Sequence, residues 1–152
     1  MTNNIGDLLG DRADLIVQRN IEVGDVHLLN LDKSNGITPK NGEAARDKFF
    51  IVLGFDEEGN VIGGLVINSN INYNLPPSVT DYMLPVTRVQ MPFLEHNSFV
   101  NCSKIITAKR SKFSKTTYRG EVSDKGMIEL IINTVKESPT VSQKLLKEFG
   151  II

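Results

Sequence analysis

The feature that most constrains the fold is a pair of apolar segments joined by a short turn. Residues 48–55 (KFFIVLGF) are almost continuously apolar, which is typical of a strand buried on both faces. Residues 56–60 (DEEGN) indicate a turn, in which Gly59 and Asn60 tolerate a positive φ. Residues 61–68 (VIGGLVIN) return as the partner strand. The chain is therefore predicted to fold around a central β-hairpin.

The remaining strand signals predict a bent sheet. Gly63 and Gly64, inside the second hairpin strand, indicate a bulge or a sharp bend of the kind that closes small barrels. The other predicted strands cover residues 26–31, 82–86, 98–107 and 116–122. Within 82–86, Pro85 confines the strand to a sheet edge because proline lacks a backbone donor.

Helical patterns are confined to the two ends of the chain. Residues 5–19 show the apolar spacing of an amphipathic helix, weakened by Gly10. Residues 125–137 form a second apolar helix face that Ser123-Asp124 can cap, and a shorter helix starts at Ser138 or Thr140. The prediction is an α+β, mainly β fold: a small SH3-like barrel with a C-terminal helix and an N-terminal helical extension.

The predicted organisation is a single compact domain with additions at both ends. We expect a helical extension over residues 1–23, the barrel with its helix over residues 24–137, and a short terminal helix over residues 138–152. The loop over residues 32–46 is about fifteen residues long, and loops of that length tend to be functional or mobile.

Composition limits the classes of function. The 152 residues carry a formal net charge of only −1, so any footprint for nucleic acid must be local. The single cysteine, Cys102, excludes an internal disulfide and a multi-cysteine zinc site. The chain shows no secretory signal pattern and no apolar run long enough to cross a bilayer, so we expect a cytoplasmic protein.

One local basic segment exists, over residues 98–119. Its cations are Lys104, Lys109, Arg110, Lys112, Lys115 and Arg119, with no acidic residue among them. The segment has two physical interpretations. It is either a solvated hairpin edge, where lysines discourage edge-to-edge pairing, or a surface that follows a phosphate backbone.

Standard catalytic signatures are absent from the sequence. There is no phosphate-binding G-x-x-x-x-G-K-[ST] loop, no G-x-G-x-x-G, no H-E-x-x-H and no G-x-S-x-G. His27 shares a strand face with Leu29 and Leu31, which favours a packed histidine over a catalytic base. We expect no metal site and no cofactor.

The order of these pieces resembles the MazF/PemK (Kid-like) toxins of bacterial toxin–antitoxin systems. Residues 24–32 (GDVHLLNLD) are similar to that family's opening Gly-Asp/Glu strand, and residues 48–53 fall where an Arg-Pro pair leads into an apolar strand. Residues 66–70 fall where the next strand ends in a Thr/Ser pair. Residues 98–107 are similar to the strand with a central polar pair, and the helix from residue 125 follows in the family order.

The resemblance implies a homodimer that cleaves single-stranded RNA without a metal and is inhibited by a cognate antitoxin protein. Such cleavage needs a base for the ribose 2′-hydroxyl, an acid for the leaving 5′-oxygen and a cation at the phosphate. Lys48-Phe49 stands where the family has Arg-Pro, and Arg46 can substitute for the arginine. The Arg and Asp that flank a cysteine in the Kid-like subgroup are Asn101 and Ser103 here.

The resemblance assigns the following residues. The catalytic residues are Arg46, Lys48, Ser69 and Thr107, and the RNA-binding residues are Lys104, Lys109, Arg110, Lys112 and Asn70. The alternative, motivated by the missing Arg and Asp, is a catalytically degenerate barrel that acts as a protein-binding or nucleic-acid-binding module, either CcdB-like or regulatory.

Overall fold

A computed structural model describes residues 5–38, 40 and 42–152, and the side chains within these ranges from residue 12 onwards. The strands are β1 (Asp25–Asp32), β2 (Ala45–Phe55), β3 (Val61–Asn68), β4 (Met83–Val86), β5 (Ser98–Asn101), β6 (Ile106–Lys109) and β7 (Tyr118–Glu121). The helices are α1 (Ile5–Arg19), α2 (Pro77–Thr80), α3 (Lys125–Glu137) and α4 (Gln143–Glu148). Two short 3-10 turns cover Lys33–Asn35 and Arg110–Lys112. Residues 1–4 of the predicted extension and the predicted apolar side chains Ile5, Leu8 and Leu9 lie outside the described part.

The sheet is antiparallel and is built around the predicted hairpin, so the α+β, mainly β class is confirmed. The strand order is β4-β5-β3-β2-β1-β7, and β6 pairs with β3 outside this path. On the edge away from β2, strand β3 therefore pairs with two strands: its first half pairs with β6 from Val61 to Gly64, and its end pairs with β5 at Ile67 and Asn68.

The sequence predicted a bulge or a bend at the glycine pair, and the structure has a bulge there, with the additional residue on the facing strand. Strand β2 carries one additional residue, Leu53, opposite Gly63 and Gly64. A Cβ atom on Gly64 would lie 2.2 Å from the carbonyl oxygen of Ile51, and one on Gly63 would lie 2.7 Å from the ring of Phe149. Both positions therefore need glycine because neighbouring atoms occupy the space of a side chain.

The sheet buries side chains on both faces, which explains the continuous apolar run of β2. One cluster lies under α3 and α4 and includes Ile51, Leu65 and Ile131. The other lies on the opposite face and includes Phe50 and Phe113. Because successive residues of a strand point to opposite faces, alternate residues of β2 contribute to the two clusters.

The prediction of one strand over residues 98–107 is wrong. Strand β5 ends at Asn101 and β6 begins at Ile106, with a turn between them. The Asn101 Oδ1 atom accepts hydrogen bonds from the backbone N–H of Ser103 at 3.0 Å and from the Ser103 hydroxyl at 2.6 Å. These local bonds compete with strand pairing. Cys102 is buried as predicted, but in the turn, where burial raises its pKa to about 12.

Several element boundaries also differ from the predictions. Strand β2 begins at Ala45, which places Arg46 on the strand and not in the preceding loop. Helix α4 begins at Gln143 because the Ser142 side chain caps it, later than predicted. Helix α3 is confirmed, with the Asp124 carboxylate accepting from the Gly126 N–H at 2.8 Å. The edge position of β4 is confirmed.

His27 is the packed, buried histidine that its strand position predicted. Its Nδ1 lies 2.8 Å from the Thr117 hydroxyl oxygen, and its ring meets Phe113 and Tyr118 edge-on. Its Nε2 has no hydrogen-bond partner among the described residues. Burial, with a smaller contribution from the positive charge of Arg119, lowers the pKa of His27 to about 4. The folded protein therefore keeps this ring neutral at physiological pH.

Acidification is expected to destabilise the fold through His27. The unfolded chain takes up this proton near the ordinary pKa, whereas the folded chain takes it up only near about 4. The unfolded state therefore binds more protons between these values, and the free energy of unfolding falls by about 1 kcal/mol from pH 7.5 to 5.5. Urea denaturation at both pH values measures this change. In His27→Gln the free energy of unfolding should fall less between the two pH values. A decrease equal to that of the wild type would contradict the role of His27 in this pH dependence.

Candidate anion-binding groove

A surface groove of about 590 Å³ lies where the β1–β2 loop, the adjoining ends of β2 and β3, and the β5–β6 turn converge. Its polar lining comes from Thr38, Lys40, Arg46, Lys48, Asn68, Ser69, Asn70, Asn72, Asn101 and Lys104. Ile37, Val66, Leu75, Met83 and Ile106 supply its apolar lining. Among the described residues, no aspartate or glutamate lines the groove, so its described lining combines positive charge with neutral hydrogen-bonding groups.

A second depression of similar size is different in charge. It lies between the β2–β3 turn and the end of α4, and its lining includes Asp56, Glu57, Glu58 and Glu148 beside Lys147. Among the described residues, no three histidine, cysteine or carboxylate side chains cluster in a way that could hold a metal ion. The cationic groove is therefore the better candidate for an anionic ligand.

Strand periodicity brings two of the groove cations together. Arg46 and Lys48 are two residues apart on β2, so both side chains lie on the same face of the sheet as Phe50. Phe50 is buried in the core, whereas Arg46 and Lys48 are half-buried. This face therefore changes from core to groove along a single strand.

Lys48 is held at a defined position in the groove. Its Nζ donates a hydrogen bond of 2.8 Å to the side-chain oxygen of Asn68 on β3. Burial lowers the pKa of Lys48 to about 8, and the positive charges of Arg46 and Lys40 contribute to the same shift. A lysine with such a pKa is partly neutral near physiological pH, so it can accept a proton as well as donate one.

Lys104 ties the β1–β2 loop to the β5–β6 turn across the groove. Its Nζ donates a hydrogen bond of 2.7 Å to the carbonyl oxygen of Gly36. Gly36 ends the 3-10 turn with a φ of 105°, a conformation that favours glycine. Asp32 caps the start of that turn by accepting from the Ser34 N–H at 2.8 Å. Hydrogen bonds therefore hold the loop at both ends of this turn, and Lys104 lies at the edge of the groove.

Five of the nine residues predicted for the site line this groove. They are Arg46, Lys48, Ser69, Asn70 and Lys104. Thr107 does not line it: this residue lies on β6, next to the lining residue Ile106, and its carbonyl oxygen accepts from the Asn35 side chain at 2.9 Å. The residues brought together come from β2, the end of β3 and the β5–β6 turn, which are distant in sequence.

The three predicted cations at and after the end of β6 do not line the groove. The Arg110 guanidinium lies 5.2 Å from the centre of the Phe55 ring and also donates to the carbonyl oxygen of Gln18 on α1. Lys112 donates to the carbonyl oxygen of Asn30 at 2.6 Å, and Lys109 is exposed at the end of β6. The basic segment is therefore not one continuous surface, and of its six cations, all described, Lys104 alone lines the groove.

Sequence reasoning missed Lys40, Asn68, Asn72 and Asn101 as groove residues. Lys40 lies in a loop without periodicity, so no pattern places its side chain. The signal that could have found two of the asparagines is the amide-rich stretch over residues 68–74 (NSNINYN), which directly follows β3. Asn101 shows no such signal because its role depends on the turn after β5.

Comparison with known proteins leaves the groove residues as the basis for a functional proposal. No protein-family model matches the chain, and no curated protein matches it. Within the described residues, none of the helices has both the length and the apolar character needed to span a membrane.

Proposed function

We propose that this protein is a metal-independent endoribonuclease that cleaves single-stranded RNA in this groove. The observation that carries the proposal is the combination of Arg46, Lys48 and Lys104 in a groove without acidic lining residues. Such a surface attracts a phosphodiester because cations and neutral donors match its oxygens, and no carboxylate repels it.

The proposed reaction is transfer of the phosphodiester to the ribose 2′-hydroxyl. Neutral Lys48 takes the proton of the 2′-hydroxyl, and the 2′-oxygen attacks phosphorus as the bond to the 5′-oxygen breaks. The ammonium group of Lys104 protonates the leaving 5′-oxygen, and Arg46 stabilises the charge that develops on the phosphate. The products are a 2′,3′-cyclic phosphate and a 5′-hydroxyl.

The Asn68 contact supports the role of Lys48. A neutral lysine amine keeps two N–H bonds and one lone pair. One N–H bond can stay with the Asn68 oxygen at 2.8 Å while the lone pair faces the groove. Asn68 would thus act as a positioning residue for the base.

The wider proposal includes the biological context that the resemblance implied. It describes a toxin of the MazF/PemK kind on an SH3-like barrel, acting as a homodimer on cytoplasmic RNA and neutralised by an antitoxin. The bulge opposite Gly63-Gly64 and the pairing of β3 with both β5 and β6 support the barrel. Growth arrest on expression, relieved by the product of a neighbouring gene, tests this context.

One observation favours a second candidate, a nucleic-acid-binding module without catalysis. No histidine or carboxylate of the described part of the chain lines the groove, so the proposed reaction depends on Lys48 and Lys104 for proton transfer. Incubation of single-stranded RNA with the protein in EDTA separates the two candidates. Products ending in 2′,3′-cyclic phosphate support the endoribonuclease. RNA that is bound but remains intact supports the binding module.

The rate of cleavage is expected to depend on pH through Lys48. Because its neutral form is the base, kcat/KM should rise about tenfold per pH unit below the pKa and level off above about 8. A pH series from 6 to 9 on one RNA oligonucleotide measures this profile. A rate that falls steadily over the same range would contradict the assignment, since it would require Lys48 to act as a cation.

A further inference from the structure

Three of the four asparagines that line the groove have their side-chain oxygen engaged by another group of the protein. Asn68 Oδ1 accepts from Lys48 Nζ at 2.8 Å, Asn72 Oδ1 accepts from the Asn74 N–H at 3.0 Å, and Asn101 Oδ1 accepts from the Ser103 N–H at 3.0 Å. All three asparagines line the groove. In each of these three side-chain amides, the oxygen therefore accepts a hydrogen bond from the protein.

The identity of these oxygen atoms follows from their partners. A backbone N–H group donates and cannot accept, and a lysine ammonium also only donates. The atom facing each of these donors must therefore be the amide oxygen. None of the three Nδ2 groups donates to another described residue, so their N–H bonds are left for a ligand.

At these three asparagines the groove therefore presents hydrogen-bond donors. Three amide NH₂ groups join the cationic donors Arg46, Lys48 and Lys104. A phosphodiester satisfies the cations, because its oxygens accept hydrogen bonds. Asn101 pairs with Met83 between β5 and β4, and the Leu75 N–H donates to the Asn72 carbonyl oxygen, so each of these two asparagines has an apolar neighbour in the lining, which suits a base.

We propose that Asn72 and Asn101 make the groove select keto bases over amino bases, which deepens the proposed function and rests on it. Uracil presents the acceptors O2 and O4, and guanine presents O6 and N7. Adenine and cytosine place an amino donor at the corresponding edge. An amino group facing an amide NH₂ leaves both donors unsatisfied, whereas a carbonyl oxygen accepts from it.

The size of the preference follows from the number of matched contacts. A good pair of base contacts changes discrimination by about tenfold or more. We therefore expect single-stranded RNA with uracil or guanine at the selected position to bind at least about tenfold more tightly than RNA with adenine or cytosine there.

The test uses the full chain and four 2′-O-methyl heptamers, A₃XA₃ with X as U, G, A or C, which cannot be cleaved because the 2′-oxygen is blocked. Fluorescence anisotropy gives the four Kd values. Tighter binding for U and G, or for one of them, is the expected result, and comparison of the two shows which base carries the preference. Equal Kd values for all four heptamers overturn the inference while leaving RNA binding intact.

Variants that exchange donors for acceptors give a second readout. Asn72→Asp and Asn101→Asp keep the internally used oxygen but replace the NH₂ group by an oxygen atom. The added negative charge weakens binding of every heptamer, so the measured quantity is the ratio of keto to amino Kd values. This ratio should shift at least about fivefold toward A and C. Asn133→Asp, an exposed change on α3, is the charge-matched control and should leave the ratio unchanged.

The outcomes distinguish failure of the base preference from failure of the proposed RNA binding and cleavage. A ratio that is the same in wild type, Asn72→Asp and Asn101→Asp overturns the role of the amides. Circular dichroism confirms that the variants are folded. Failure of the wild-type protein to bind any heptamer overturns both the proposed function and the inference, whereas binding without cleavage of unmodified RNA overturns only the endoribonuclease.

Discussion

Replacement of Lys48 by arginine is expected to abolish RNA cleavage while leaving RNA binding nearly intact. An arginine keeps the positive charge and can still donate to the Asn68 oxygen, which accepts from Lys48 at 2.8 Å. An arginine cannot act as a base, however, because its guanidinium does not lose a proton in proteins. Loss of a general base lowers kcat by about 10²–10⁴-fold.

The experiment compares single-turnover cleavage and Kd for wild type, Lys48→Arg and the control Lys109→Arg. Lys109 is an exposed lysine at the end of β6 that does not line the groove, so its replacement should change neither quantity. A loss of cleavage in Lys48→Arg with a Kd within about threefold of wild type supports the base. Cleavage at the wild-type rate would contradict the assignment of Lys48.

The second prediction with a large effect concerns the stability of the protein after replacement of Gly64, which lies opposite the bulge of the hairpin. A Cβ atom there would lie 2.2 Å from the carbonyl oxygen of Ile51 and 2.6 Å from the ring of Phe50. Ile51 and Phe50 are fully buried in the two opposite core clusters, so neither can move without disturbing the packing. We expect Gly64→Ala to lower the free energy of unfolding by about 3 kcal/mol or more.

Urea denaturation monitored by circular dichroism measures this loss, and recovery of only insoluble or unfolded protein is the extreme form of the same result. The matched control is Gly126→Ala in the first turn of α3, where alanine has a better helix propensity than glycine. The control should stay within about 1 kcal/mol of wild type. A Gly64→Ala protein as stable as the control would contradict the close approach of β2 and β3.

The predictable parts of the fold are those determined by local sequence. The apolar run of β2, the turn residues after it and the glycine pair in β3 together specify the hairpin. Asp124 specifies the start of α3 because its side chain is close in sequence to the N–H group that it caps. The burial of His27 followed from its alternation with Leu29 and Leu31, which requires only the period of a strand.

The candidate site was harder to predict because contacts between distant segments form it. The contact between Lys48 and Asn68 exists only once β2 and β3 pair, and the one between Lys104 and Gly36 depends on two separate turns. The prediction that the basic segment forms one binding surface failed for a related reason. A 3-10 turn redirects its cations, and Arg110 packs on Phe55 instead of joining the groove. Neither event leaves a periodic pattern in the sequence.

The most direct test of the central claim is a backbone NMR titration of the full chain with a 2′-O-methyl single-stranded RNA heptamer. If RNA occupies the groove, chemical-shift changes should concentrate at Arg46, Lys48, Asn68 and Lys104, and residues of α3 should remain unchanged. Changes confined to α3, or to Lys109 and Arg110, would place the RNA elsewhere and contradict the account.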